Sequence, residues 1–301
     1  MNSPQPSSEA KFWAILSHLA ILAGGLGLLL PAFGWSENRE KSHYGAFQAL
    51  QALVYQTLGY TLWVLVYLLA SIVVLLVSLP FIPKDPNSPA MAVWTTVHLL
   101  VIVIFFAVLY LVPVVGAVLC AFGRDFRYPL IGNRLARYIG YDPATPDTAL
   151  NTEHEDRAAV SMGHFSIVFS FFGLFVPLAL WVTQAKRSRF AEIQSVQALV
   201  FQALSTLVTL GLSFLAMLIL AISVLPVFMA VTSGAQPSPE SFLGFFVFLL
   251  CLMVLVLVIP LLQILGQWAG LRILQGHDYH YPLIGARVEK WLSRRGMPKG
   301  S

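Results

Sequence analysis

Long apolar runs separated by short polar segments dominate the chain. They fall at 12–35, 44–79, 90–121, 158–182, 190–230 and 240–274. About 20 apolar residues suffice to cross a bilayer core, so the pattern predicts an all-α integral membrane protein. The longest runs exceed that need. A helix of some 35 residues is about 50 Å long, against a hydrocarbon core of about 30 Å. The surplus is expected in the interface, on the stretch that carries Gln48, Gln51 and Gln56.

The runs repeat. Under a shift of 146 residues His18 falls on His164, Gly27 on Gly173, Pro31 on Pro177 and Trp35 on Trp181. Residues 42–56 then overlie 188–202 with seven of fifteen positions identical, including all three glutamines. At a shift of 153, GRDFRYPLIG at 123–132 overlies GHDYHYPLIG at 276–285 with seven of ten identical. Fixed-shift similarity of this kind is the signature of tandem units. We therefore expect a tail at 1–10, a first membrane repeat at 11–140, a linker at 141–157, a second repeat at 158–296 and a tail at 297–301. Each repeat reads as a Gly-interrupted run, two long transmembrane helices and a C-terminal interfacial amphipathic segment.

Charge bears on the layout of the Gly-interrupted runs. If all six runs span, the Lys and Arg residues distribute between the two sides with only a weak bias. If 12–35 and 158–182 dip in and return, every Lys and Arg except Lys84 faces one compartment. Basic residues concentrate on the cytoplasmic side, which favours the re-entrant layout. Gly24, Gly25 and Gly27 supply residues tolerant of a positive-φ turn. A simple span of 24 apolar residues stays open as the alternative. The location expected is a bacterial plasma membrane with the basic loops cytoplasmic.

Composition agrees. Hydrophobic residues make up 57% of the 301 residues and charged residues 11%, too few to cover a water-soluble surface. The net charge of +4 sits in short inter-run segments. That fits anionic lipid heads, not nucleic acid. Arg287, Lys290 and Arg294 surround an apolar face of Val288, Trp291 and Leu292, the pattern of a helix lying on anionic lipid. Cys120 and Cys251 lie in apolar runs with no metal-site or disulfide spacing.

The order of landmarks carries a family likeness. A His-containing first run (SHLA, GHFS), Pro followed by Trp, a charged loop, a Gln-rich helix start and a closing Gly-x-Asp-aromatic-x-Tyr-Pro-Leu together resemble the small bacterial membrane proteins grouped with the twenty-kilodalton import component of the chloroplast TIC translocon. Here two such units stand in tandem. The resemblance implies a helical membrane protein with a protein-handling role and no catalytic residues. Arg189 stands opposite His43, so neither is a fixed family position.

Polar residues inside the runs are the candidates for chemistry. His18 and His164, on equivalent turns, could hold a haem or chlorin, since neutral imidazole is a good axial ligand. The alternative is a histidine bonded to a carbonyl or lipid near the headgroups. His98 faces Cys251 across the repeat and breaks the symmetry. Gln48, Gln51 and Gln56, with Gln194, Gln197 and Gln202, share one broad helix face. They read either as a polar groove for a peptide or substrate, or as glue between the two units or solvated first turns at the interface. Tyr128 and Pro129, with Tyr281 and Pro282, form an interfacial corner. No charge lies within the central spans, and Walker, zincin and nucleophile-elbow motifs are absent. The expectation is a non-enzymatic multi-pass protein without a resident cofactor or metal, serving as scaffold, assembly factor or accessory subunit among other membrane proteins. The alternative is a translocation-related or passive conduit with Gln-lined faces.

Overall fold

The computed structural model describes residues 5–145, 148–234, 236 and 239–295, and no strand occurs among them. The first four residues and the tail at 297–301 lie outside the described residues. Six helical stretches are long and apolar enough to cross a membrane by length and composition: Ser8–Asn38, His43–Phe81, Pro89–Ala121, Thr152–Gln184, Arg189–Thr232 and Leu243–Leu274. The chain is an all-helical membrane protein of two tandem repeats.

Repeat 1 begins with α1 (Ser8–Leu19) and α2 (Leu29–Asn38), joined by a tight helical segment at Ala20–Leu28. The serine at position 7 caps α1 by accepting from the Ala10 amide at 3.2 Å, so helix begins inside the stretch read as a tail. Gly24 breaks the segment at φ 58°, ψ −142°. The run then doubles back. A Cβ on Gly34 would sit 3.3 Å from the Trp13 ring, although a straight helix would hold the two about 30 Å apart. Lys41 reaches Glu9 at 3.5 Å, so the run starts and ends at the same end of the molecule. Gly27 is required by close approach, because a side chain there would run into the Ala20 carbonyl.

The same hairpin recurs in repeat 2. Helices α7 (Thr152–Phe165) and α8 (Phe175–Gln184) flank the segment Ser166–Leu174. Its break falls at Ser170, φ 52°, the position equivalent to Gly24. Ser166 Oγ bridges to the Gly173 carbonyl at 2.8 Å and holds the turn. The onset of α7 at Thr152 lies within the stretch read as linker.

The remaining helices form two long hairpins. In repeat 1, α3 (His43–Val54) passes through a single π-helical turn, Tyr55–Gly59, into α4 (Tyr60–Ser78), and α5 (Pro89–Ala121) returns. Repeat 2 has an unbroken α9 (Arg189–Thr232) and α10 (Pro239–Leu274). At 44 residues α9 is about 66 Å long, twice the bilayer core. Its two parts differ in surroundings. Gln194, Ser195, Gln197 and Ala198 are buried, whereas Leu207, Leu210, Phe214 and Ile222 are exposed. In α4 no residue is buried. The exposed portions are the lipid-facing arms, and the buried portions belong to a core at the basic end. Short helices α6 (Gly132–Ile139) and α11 (Gly285–Arg295) close the repeats at that end.

The two repeats share that core. Leu28, Trp35, Phe47 and Leu53 pack with Met162, Val176 and Leu180 across the repeat boundary. A buried polar clamp lies at its edge. Arg39 pairs with Asp156 at 2.8 Å and with Gln184 Oε1 at 2.6 Å, and the Trp35 indole donates to Glu155 at 3.2 Å. Small residues (Ala32, Ala46, Ala49, Ala158, Ala159) let the backbones approach, as expected for helix packing without a strong hydrophobic drive.

Candidate functional site

The duplicated polar residues converge in each repeat on the Tyr-Pro-Leu-Ile-Gly corner. His18, fully buried on α1, meets the Tyr128 hydroxyl through Nδ1 at 2.8 Å and Gln48 Oε1 through Nε2 at 3.0 Å. Gln48 donates to Asp125 Oδ1 at 3.0 Å and to the Phe126 carbonyl at 3.1 Å. Gln51 donates to the same carbonyl at 2.7 Å and accepts from the Tyr128 amide at 3.3 Å. Gln56, one turn deeper, donates to the Ser17 carbonyl at 2.8 Å. The corner, α1 and α3 are thus tied together by side chains that meet backbone groups no helix could satisfy.

Repeat 2 copies the arrangement. His164 Nδ1 meets the Tyr281 hydroxyl at 2.9 Å, and Gln194 donates to the Tyr279 carbonyl at 3.0 Å. Gln197 accepts from the Tyr281 amide at 3.3 Å, and Gln202 donates to the Gly163 carbonyl at 2.6 Å. The stacked ring pair Tyr55–Tyr128, with centroids 4.1 Å apart, becomes Phe201–Tyr281 at 4.0 Å. One difference stands out: His164 Nε2 and Gln194 Oε1 are buried without a hydrogen-bond partner among the described residues. The acid also changes partner. Asp125 pairs with Arg127 at 3.0 Å, whereas its counterpart Asp278 pairs with Arg157 of α7 at 3.3 Å. Burial pushes the Asp125 carboxyl above its ordinary range, against the pull of Arg127.

This geometry answers several expectations. His18 and His164 sit in separate nodes, one per repeat, and both ring nitrogens of His18 are engaged in hydrogen bonds. The six glutamines are buried. Gln48, Gln51, Gln194 and Gln197 tie helix to corner within a repeat, and Gln56 and Gln202 tie it to the first helix of the repeat. Their hydrogen bonds stay within one repeat, and Gln202 also lines a cavity beside Ser170. The inter-repeat role falls to Arg39, Asp156, Gln184 and Trp35, of which only Trp35 stood among the repeat landmarks. His98 bonds the Trp94 carbonyl at 2.8 Å on its own helix. Cys120 lies beside Gln48 at 3.5 Å, and both cysteines are free. No group of three metal-ligating side chains occurs among the described residues.

The corners carry a backbone feature that no sequence pattern disclosed. Leu130 and Leu283 adopt left-handed φ angles of 64° and 67°. They are 81% and 80% exposed, while Tyr128 and Tyr281 beside them are buried. The Ile131 amide donates to the Pro129 carbonyl at 2.7 Å, closing a three-residue turn around Leu130. The basic side chains of the helices that follow face outward. Arg134 and Arg137 on α6, and Arg287, Lys290 and Arg294 on α11, are exposed, while Leu135, Ile139, Val288 and Leu292 are buried.

No curated protein and no solved structure matches the chain. A family profile does, over residues 9–135 and again over 155–288, one match per repeat. It corrects the likeness to the chloroplast import component. The landmarks behind that likeness were a histidine, a few glutamines and a Tyr-Pro-Leu corner. In the structure they are the parts of a packing node in each repeat. Matched twice and over most of its length, the chain belongs to the magnetosome magnetite crystal formation protein family, MamF/MmsF.

Proposed function

We propose that the protein is a non-enzymatic accessory component of the magnetosome membrane that supports magnetite crystal formation through contacts with other membrane proteins and with acidic lipid heads. The observation that carries this reading is that both repeats match the family while their duplicated polar side chains are largely consumed in packing. What remains at the surface is apolar arms and an outward-facing basic rim, which are features of a contact protein and not of a reaction centre. The buried glutamines give no comparable support to the conduit alternative.

In this reading the boundary between the units falls within 141–157. Each Gly-interrupted run re-enters, the four long helices cross the bilayer, and the basic end faces the cytoplasm. Deletion of the gene in a magnetosome-forming bacterium, followed by return of the full chain, is the direct test. The expected outcome is altered crystal size or number, rescued by the wild-type chain, together with a stable protein partner after mild-detergent purification. Crystals unchanged by the deletion would defeat the proposal.

A further inference from the structure

We propose that repeat 2 holds a binding site for an uncharged oxygen-bearing group of a membrane lipid, the ester and hydroxyl region of a diacylglycerol, in the cavity beside the break at Ser170. The cavity measures about 100 Å³, room for several water-sized groups. Its polar wall consists of Ser170, Gln202, Ser205, Thr206 and Thr209, with Gln263 opposite on α10. The four from α9 recur at helical spacing and share a face. Phe171, Leu210 and Ile259 form the apolar side, and Phe171 and Leu210 are exposed where the arms meet lipid. No charged residue lines the cavity.

Two observations mark this as a place for a ligand. Gln202 is 1% exposed and spends its amide nitrogen on the Gly163 carbonyl, leaving Oε1 without a partner among the described residues. A buried carbonyl oxygen calls for a donor. Ser170 holds a left-handed backbone where the first repeat uses Gly24. A serine is strained there in a way glycine is not, and such strain concentrates at functional positions.

The duplication supplies an internal control. In repeat 1 the positions of Ser170, Ser205, Thr206, Thr209 and Gln263 are occupied by Gly24, Gly59, Tyr60, Trp63 and Tyr110. The equivalent cavity there is only about 30 Å³, Gln56 Oε1 in its wall is likewise without a partner among the described residues, and Tyr60 packs against Phe169 with ring centroids 4.7 Å apart. The same fold thus narrows one pocket with aromatic rings and sets hydroxyls and carboxamides into the largely apolar wall of the other. Hydroxyls and carboxamides without a counter-charge would leave a phosphate or a cation desolvated and unpaired. They match ester carbonyls and a free hydroxyl, with the acyl chains continuing along Phe171 and Leu210.

The test uses the full chain in detergent. Binding of dioctanoylglycerol and of dioctanoylphosphatidylglycerol is followed by thermal shift and by native mass spectrometry. The neutral lipid is expected to bind about tenfold more tightly, and the variant Thr206→Tyr/Thr209→Trp/Gln263→Tyr, which installs the residues of repeat 1, is expected to lose it. Ser170→Gly is expected to fold normally and bind several-fold more weakly, and it decides the matter if the triple variant does not fold. Absence of dioctanoylglycerol binding, equal binding of the two lipids, or unchanged binding by the variants would overturn the site. A polypeptide occupying the cavity and displaced by none of these lipids would overturn it as well.

Discussion

His18 and Tyr128 meet at 2.8 Å although 110 residues separate them, and His164 repeats the contact with Tyr281 at 2.9 Å across 117 residues. Each bond fastens the first helix of a repeat to its last corner, so each repeat is closed by one imidazole–phenol pair. The Gln-bearing helix is threaded between the two ends. A duplicated gene has kept the closure in both copies while letting the surroundings diverge.

That closure predicts a measurable loss. Tyr128→Phe leaves the His18 Nδ1 group buried without its partner, which costs about 1–3 kcal/mol. The stability of the purified protein in detergent should fall by that amount on chemical unfolding. The double variant His18→Phe/Tyr128→Phe should cost less than the sum of the single changes, because the two residues act as one unit. Full additivity would show that they do not.

The inter-repeat clamp makes a larger prediction. Arg39 and Asp156 are both almost fully buried. Removing one partner of such a pair strands a charge and costs about 3–5 kcal/mol. Arg39→Gln and Asp156→Asn should each loosen the repeats from one another, seen as faster proteolysis within 141–151. The arms should keep their helical circular dichroism. Cleavage at the wild-type rate would show that the apolar core alone holds the repeats together.

The corner leucines predict a gain. A left-handed L-residue carries about 1–2 kcal/mol of strain that glycine avoids. Leu130→Gly should therefore stabilise the protein in detergent by about 1 kcal/mol, offset in part by the greater freedom of the unfolded chain. A drop in stability would mean that the exposed Leu130 side chain makes contacts that outweigh its backbone strain.

Asp125 gives the protein a pH dependence of definite sign. Its folded pKa lies above the ordinary value of 3.8 because burial disfavours the carboxylate. The folded state then binds the proton more tightly than the unfolded state. The resulting stability is fully present below the ordinary value and is lost as pH rises through the folded pKa. The Asp125 contribution should decline upward from pH 3.8, read as the difference between the unfolding profiles of the wild type and Asp125→Asn. An unchanged slope would assign the dependence to another group.

The re-entrant layout can be read by labelling. With Cys120 and Cys251 replaced, single cysteines at Glu9, Glu40 and Lys84 are expected to react from one, the same and the opposite face of a sealed vesicle. Labelling of the cysteines at Glu9 and Glu40 from opposite faces would contradict the hairpin.

How much of this was legible in the residues differs from feature to feature. Helical membrane architecture and the duplication were plain, because apolar run length and fixed-shift identity are local properties. Both hairpins were foreshadowed by the charge pattern, and the one at Gly24 also by its glycines, but that the second break falls on Ser170 was not, since nothing in the letters marks a serine for a left-handed backbone. The family likeness drawn from a His, a Gln face and a Tyr-Pro corner went astray, because the profile that matches both repeats is that of another family.

The chain by itself determined the solvent it lives in and the number of its repeats. These follow from hydropathy and periodicity, which each short segment carries alone. Only the tertiary structure decided that the histidines bind tyrosines, that the glutamines satisfy corner carbonyls, and that Arg39 clamps one repeat to the other. Those outcomes depend on groups 75 or more residues apart meeting within hydrogen-bond reach, and no local pattern encodes that distance.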